Sequence, residues 1–333
     1  MFLRLFKENG PVAAIILIIT VFVSGFSAFS KSVADYAINA HGNTPLFESF
    51  INLLNSTGEP HLSSTIMMLL LISLTFLLVG LDSSFELCKA KTLMFALCLF
   101  LISSAFGPLN GLMPEHLADI LICPGMYKIF SSNGDNEASH KFFDAGLFFG
   151  CAILFSYSAL ILIPFGITAL IIIRPYKPRE WLLHLIGILT PIYICGAICF
   201  IKSGNIDIIN NSVNGWINNK KMLTLSEPVI ISACIIGVFT FAASLIMFDR
   251  ISKMNIFSGK VYKLMFALFF YTVTATFCIP FFGLNTLLLA LIPLTFLFVT
   301  VFHGFERVKI GNIVFILFYL GMLTANLGFI YFK

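Results

Sequence analysis

The sequence predicts an all-α fold: a polytopic transmembrane helical bundle of about 11 spans, within a range of 10–12, some of them short or broken. Three observations predict it. Only 11% of the 333 residues are charged and 59% are apolar, 38 of them Phe, whereas a soluble domain carries about 25% charged residues. Apolar runs near the ~20 residues needed to cross ~30 Å of hydrocarbon recur along the chain. Lys and Arg gather in alternate connectors. So little charge cannot cover a water-facing surface. That excludes a cytosolic enzyme, a nucleic-acid binder and a secreted disulfide scaffold.

The runs come in this order: Pro11–Ser30, His61–Leu81, Thr92–Leu109, a weaker Pro114–Phe130, Phe142–Arg174, Trp181–Ile201, Pro228–Phe248, Leu264–Phe282, Leu284–His303 and Asn312–Phe332. The first is longer than a signal-peptide core and ten more spans come after it, so it reads as an uncleaved anchor. Phe142–Arg174 is too long for one crossing. Gly146 and Gly150 are spaced for close approach of another backbone. Ser156 and Ser158 flank Tyr157 at its midpoint, and Pro164 interrupts its second half. Two short helices joined by polar residues fit this run, and ordinary tight packing of two short spans accounts for it equally. Splitting near Tyr157 gives eleven crossings in one integral membrane domain, 1–333.

With the N-terminus inside and the spans alternating, fifteen of the 20 Lys and Arg fall in inner segments, from Arg4 and Lys7 to Arg307 and Lys309. Five fall outside: Lys31, Lys202, Lys220, Lys221 and Lys333. The expected place is a bacterial inner membrane, N-terminus cytoplasmic and C-terminus periplasmic. The lipid bilayer is then the first partner, and nucleic acid is not one.

Two outer loops, 31–60 and 202–227, are long enough to carry chemistry. In the first, Thr44 is placed to cap a helix with Pro45 at its first position. Leu46, Phe47, Phe50, Ile51 and Leu54 give that helix an apolar stripe, with Glu48 and Asn52 off it, as for a helix in the interface. In the second loop, Ile206, Ile209, Val213 and Trp216 recur at helical spacing.

The eight cysteines form no C-x-x-C pair and read as small packing residues. The six histidines are scattered, which does not suggest a metal centre. Ionisable groups at the membrane are few, and each is a functional candidate. Glu115 and Asp119 are four apart and share a helix face at the outer end of the fourth span, beside His116. They read as an acidic site for a cation, a proton or a hydroxyl acceptor, or as acids favoured by a helix N-terminus. Asp144 reads as a cap at the start of the fifth span. Arg174-Pro-Tyr-Lys-Pro-Arg179-Glu180-Trp181 is a basic turn in which Glu180 pairs with Arg179 or Arg174.

Four stretches carry a resemblance: Met1-Phe-Leu-Arg-Leu-Phe-Lys7, Thr44-Pro-Leu-Phe-Glu-Ser-Phe50, Phe142-Phe-Asp-Ala-Gly-Leu-Phe-Phe-Gly150, and Arg174 to Leu182 with Gly187-Ile-Leu-Thr-Pro191. Over roughly the first 200 residues they resemble an uncharacterised polytopic membrane protein family of Bacteroidota, a domain of unknown function. More loosely, the order of parts in the N-terminal two thirds is similar to C-type (GT-C) integral membrane glycosyltransferases. Those have one span, an outer loop with an acid and an amphipathic helix, then a glycine-rich run with a polar break and a Pro. That likeness implies transfer of a sugar from a polyprenyl-phosphate donor at the outer leaflet. It implies Asp35 as the catalytic general base, with Glu48, Glu115 and Asp119 as alternates. Lys31, Lys202, Lys220 or Lys221 would hold lipid phosphate, and a divalent cation would accompany a transferase. No other cofactor is implied. The chain departs from the pattern in having no outer Arg and no second acid beside Asp35. The alternative is a non-catalytic subunit or scaffold among other envelope membrane proteins. A transporter would show paired broken helices, and only one such break is legible.

Overall fold

A computed structural model describes residues 2–29, 44–56, 61–88, 90, 92–105, 112–135, 138–174, 177–203, 214, 227–279, 282–305 and 308–331. All regular structure among the described residues is helical. The helices are α1 (Phe2–Glu8), α2 (Pro11–Phe29), α3 (Pro45–Asn55), α4 (Leu62–Phe85), α5 (Thr92–Ala105), α6 (Pro114–Ser131) and α7 (Ser139–Phe155). They continue with α8 (Leu162–Ile173), α9 (Pro178–Ser203), α10 (Glu227–Ile251), α11 (Ile256–Cys278), α12 (Leu291–His303) and α13 (Val308–Tyr331). Short 3-10 helices, Tyr157–Ile161 and Leu284–Ala290, lead into α8 and α12. Each apolar run therefore contains a helix. Among the described residues five are long and apolar enough to cross a membrane: Leu62–Phe85, Pro178–Ile201, Ile230–Ile251, Ile256–Cys278 and Leu284–His303. Shorter apolar helices lie at Pro11–Phe22, Thr92–Ser104, Tyr157–Ile173 and Lys309–Thr324.

The core sits around α12. Every residue from Leu291 to Phe302 is buried, and 83% of an apolar 18-residue stretch within Leu284–His303 is buried, against 17% of the corresponding stretch within Pro178–Ile201 of α9. An apolar helix covered on all sides belongs to an interior; one with an uncovered apolar face suits lipid contact. Phenylalanines fill the gaps. Phe95 meets Phe296 with centroids 5.3 Å apart, and Phe298 meets Phe318 and Phe302 meets Phe315 at 5.0 Å. Tilted and edge-to-face contacts of this kind are favourable beyond the area they bury.

The two ends of the bundle differ. At one end Phe85, closing α4, meets Phe130 of α6 and Phe257 of α11. Lys128 of α6 pairs with Asp144 of α7 at 2.8 Å. His184 of α9 reaches the Phe142 carbonyl through Nδ1 at 3.1 Å. Arg250 donates to the Thr300 and Gly304 carbonyls at 3.1 and 2.7 Å, and Lys7 to His303 at 2.7 Å. Cations there meet the negative end of α12. Arg174 pairs with buried Glu180 at the start of α9. This end holds every described Lys and Arg except Lys202.

Four local expectations change. Thr44 precedes Pro45 at the head of α3, but its hydroxyl makes no cap; it donates to the Phe155 carbonyl of α7 at 2.7 Å. The α3 stripe is covered by protein, with Phe47, Ile51 and Leu54 buried. Asp144 is no cap either: α7 begins at Ser139, a turn earlier, which leaves Asp144 to pair with Lys128. A second break also exists. The 3-10 helix Leu284–Ala290 runs into Leu291-Ile-Pro293, as Tyr157–Ile161 runs into Leu162-Ile-Pro164. In both places Pro falls in the first turn of the α-helix, where its missing N–H costs nothing.

Candidate functional site

The end opposite the basic one is organised around α6. Pro114 is the first residue of that helix, and His116 accepts the Met113 N–H through Nδ1 at 3.3 Å. This fixes the first turn, so Glu115 and Asp119 project from one face. Both are buried, Glu115 at 3% exposure and Asp119 at 0%.

The polar break after α7 supplies Glu115 with its partners. Ser156 is extended, at φ −144° and ψ 124°, and heads the 3-10 helix by accepting the Ser158 N–H. Its hydroxyl donates to Glu115 Oε1 at 3.1 Å, and the Ser158 hydroxyl donates to the same oxygen at 3.0 Å. Thr286, at the second break, donates to the Ser158 hydroxyl at 3.2 Å. One carboxylate oxygen thus lies at the joined first turns of two interrupted helices. Glu115 Oε2 and both Asp119 oxygens have no hydrogen-bond partner among the described residues. Buried polar atoms are paired in the great majority of cases, so three unpaired oxygens on neighbouring carboxylates mark the place. The arrangement can hold a proton or cation, or accept a proton from a hydroxyl.

The chain enters α3 beside this site, because Thr44 is bonded to Phe155, the residue before Ser156. Glu48 is exposed on α3 and lies within electrostatic reach of Tyr157. Crowding by protein pushes its carboxyl above the ordinary value. Asp35, Lys31, Lys220 and Lys221 lie outside the described residues, as does the expected helix over Ile206–Trp216 apart from Asn214. Lys202 is in the last turn of α9, with its side chain outside the described residues. Among the described residues no three His, Cys, Asp or Glu side chains gather as metal ligands.

Spacing along α6 brought out Glu115 and Asp119, and the polar break brought out Ser156 and Ser158. Thr286 had no local signal, since it comes from a run that reads as unbroken. Asp82 was missed as well. Buried at the end of α4, it accepts the Cys88 N–H at 2.7 Å, the Cys88 thiol at 2.9 Å and the Ala90 N–H at 3.1 Å. It closes a turn that passes through Glu86 in the left-handed region, at φ 48°. The chain matches no family model, no curated protein and no solved structure among those compared.

Proposed function

We propose that the chain is a multi-pass bacterial inner-membrane protein of eleven spans, with its basic end cytoplasmic, its N-terminus inside and its C-terminus periplasmic. The carboxylate pair then sits at the outer leaflet. In this reading Glu115 and Asp119 are the working acid–base centre of a GT-C-like transfer. One of them, or Asp35 of the adjoining loop, takes the proton of an acceptor hydroxyl as a polyprenyl-phosphate donor gives up its sugar. The outer lysines Lys31, Lys202, Lys220 and Lys221 would meet the lipid phosphate as point charges. The observation that carries the reading is the hydrogen-bonded path from Thr44, within the first outer loop, past Phe155 and Ser156 to Glu115.

The test is sugar transfer by the purified full chain from polyprenyl-phosphate sugars, with Asp35→Asn, Glu115→Gln and Asp119→Asn beside wild type. Loss of a general base lowers turnover about 10²- to 10⁴-fold. Wild type that neither binds nor turns over such donors sinks the reading and leaves a non-catalytic subunit of an envelope assembly. The two matched breaks favour a second reading, a transporter. Interrupted helices that meet inside a membrane commonly line a binding site for small ions.

A further inference from the structure

We propose that Glu115 and Asp119 form a binding site for one monovalent cation, a proton or a sodium ion, between α6 and the first turns of the two interrupted helices. The Ser156 and Ser158 hydroxyls occupy Glu115 Oε1. Glu115 Oε2, Asp119 Oδ1 and Asp119 Oδ2 remain free of partners among the described residues, on side chains with 3% and 0% exposure. Two adjacent carboxylates inside a lipid-surrounded bundle cannot both stay charged and uncompensated. The neighbouring polar groups do not compensate them. His116 spends Nδ1 on the Met113 N–H, Asn285 turns to the Met113 sulfur, and Cys123, one turn beyond Asp119, brings no positive charge.

The two serine hydroxyls that donate to Glu115 favour negative charge on it. The cation therefore bridges Glu115 Oε2 and the Asp119 carboxyl. A proton satisfies both by making one carboxyl a donor to the other. A sodium ion does so through hard oxygen ligands, and the three unpartnered carboxylate oxygens are ligands of that kind.

Cation occupancy does not require group transfer, so a chain inactive toward lipid-linked sugars can still show it, and a transferase can lack it. The experiment is infrared difference spectroscopy on the full chain in lipid nanodiscs at neutral pH. Wild type, Glu115→Gln and Asp119→Asn are each measured in choline, sodium and magnesium chloride. In choline the wild type shows a protonated-carboxyl stretch that shifts in D₂O, and at least one of the two variants loses it. If sodium leaves the band in place, the occupant is a proton. If sodium removes it in a saturable way and raises Tm, the occupant is sodium. No carboxyl band in choline, a band that both variants keep, or a response to magnesium alone overturns the proposal. Should the variants fail to fold, the wild-type band in choline and the sodium dependence of the wild-type Tm decide by the same criteria.

Discussion

Thr286 donates its hydroxyl to Ser158 across 3.2 Å, joining residues 128 positions apart at the first turns of two helices. The bond ties the break after α7 to the break before α12 and places both beside Glu115. Thr286→Val keeps the shape and removes the donor, which frees Ser158 from one of its partners. The expected cost is about 1 kcal/mol, read as a lower Tm of the detergent-solubilised chain. No change in Tm means the two breaks are not coupled.

The crossing of α7 and α9 is the tightest in the described structure around a glycine pair. A Cβ added to Gly146 or Gly150 would collide with the His184 or Ile188 carbonyl, and one added to Gly187 with the Phe143 carbonyl. Gly146→Ala and Gly187→Ala should each destabilise the chain by about 1–3 kcal/mol, since backbone cannot yield as a flexible side chain does. Gly80→Ala and Gly237→Ala meet nothing within 4 Å. They should be neutral, or more stable by up to about 1 kcal/mol, because alanine is the better helix former. Equal effects at all four positions would contradict the close crossing.

Asp82 holds the α4–α5 turn and also shields Cys88. Burial first, and the Asp82 carboxylate second, push the Cys88 thiol above its ordinary value. Asp82→Ala removes an acceptor from three donors at a cost of about 1.5–3 kcal/mol. It also lowers the thiol toward its usual range, so more thiolate is present at mildly alkaline pH. Maleimide labelling of Cys88 should therefore speed up. Unchanged labelling would mean that the carboxylate does not set its reactivity.

Arg250 and Gly304 form a matched pair. The guanidinium closes the C-terminus of α12, and a Cβ on Gly304 would fall on it. Arg250→Ala should cost about 1.5–3 kcal/mol for the lost charge-assisted bonds. Gly304→Ala should do similar damage by displacing the same group. The double variant should then be little worse than either single one. Additive losses would place the two residues in separate interactions.

The proposed arrangement of eleven alternating spans would put Ser56 and Asn133 on opposite faces of the membrane. In a chain whose exposed Cys234 and Cys278 are replaced by Ser, Ser56→Cys should react with an impermeant maleimide in intact spheroplasts. Asn133→Cys should react only after permeabilisation. Labelling of both from outside would remove the span count and the assigned orientation together.

Hydropathy made the helices legible, because each apolar run carries one. Tyr157 between two serines marked the first break for the same reason: polar atoms in a greasy run need a partner. The second break was hidden. Leu284-Asn-Thr-Leu-Leu-Leu-Ala290 is apolar enough to pass for helix, and only its approach to the first break shows Thr286 in use. Glu115 and Asp119 were legible through four-residue spacing on one helix. Their hydroxyl partners on Glu115 come from positions 41 and 43 residues away, which no local pattern reaches. Asp82 was missed and Thr44 misread as a cap for a common reason. A side chain at the end of a helix finds its partner in the loop or helix that folds back onto it, and sequence neighbours do not say which.

The enclosure of α12 also bears on how the chain is made. Its rings rest on Phe315 and Phe318 of α13, a helix synthesised after it. Until that helix arrives, this enclosed helix has one flank facing lipid rather than aromatic side chains. Maturation is therefore a closing step, like fitting the final stave of a cask. Chains cut short before Val308 should reach the bilayer and still be cleared by quality-control proteases.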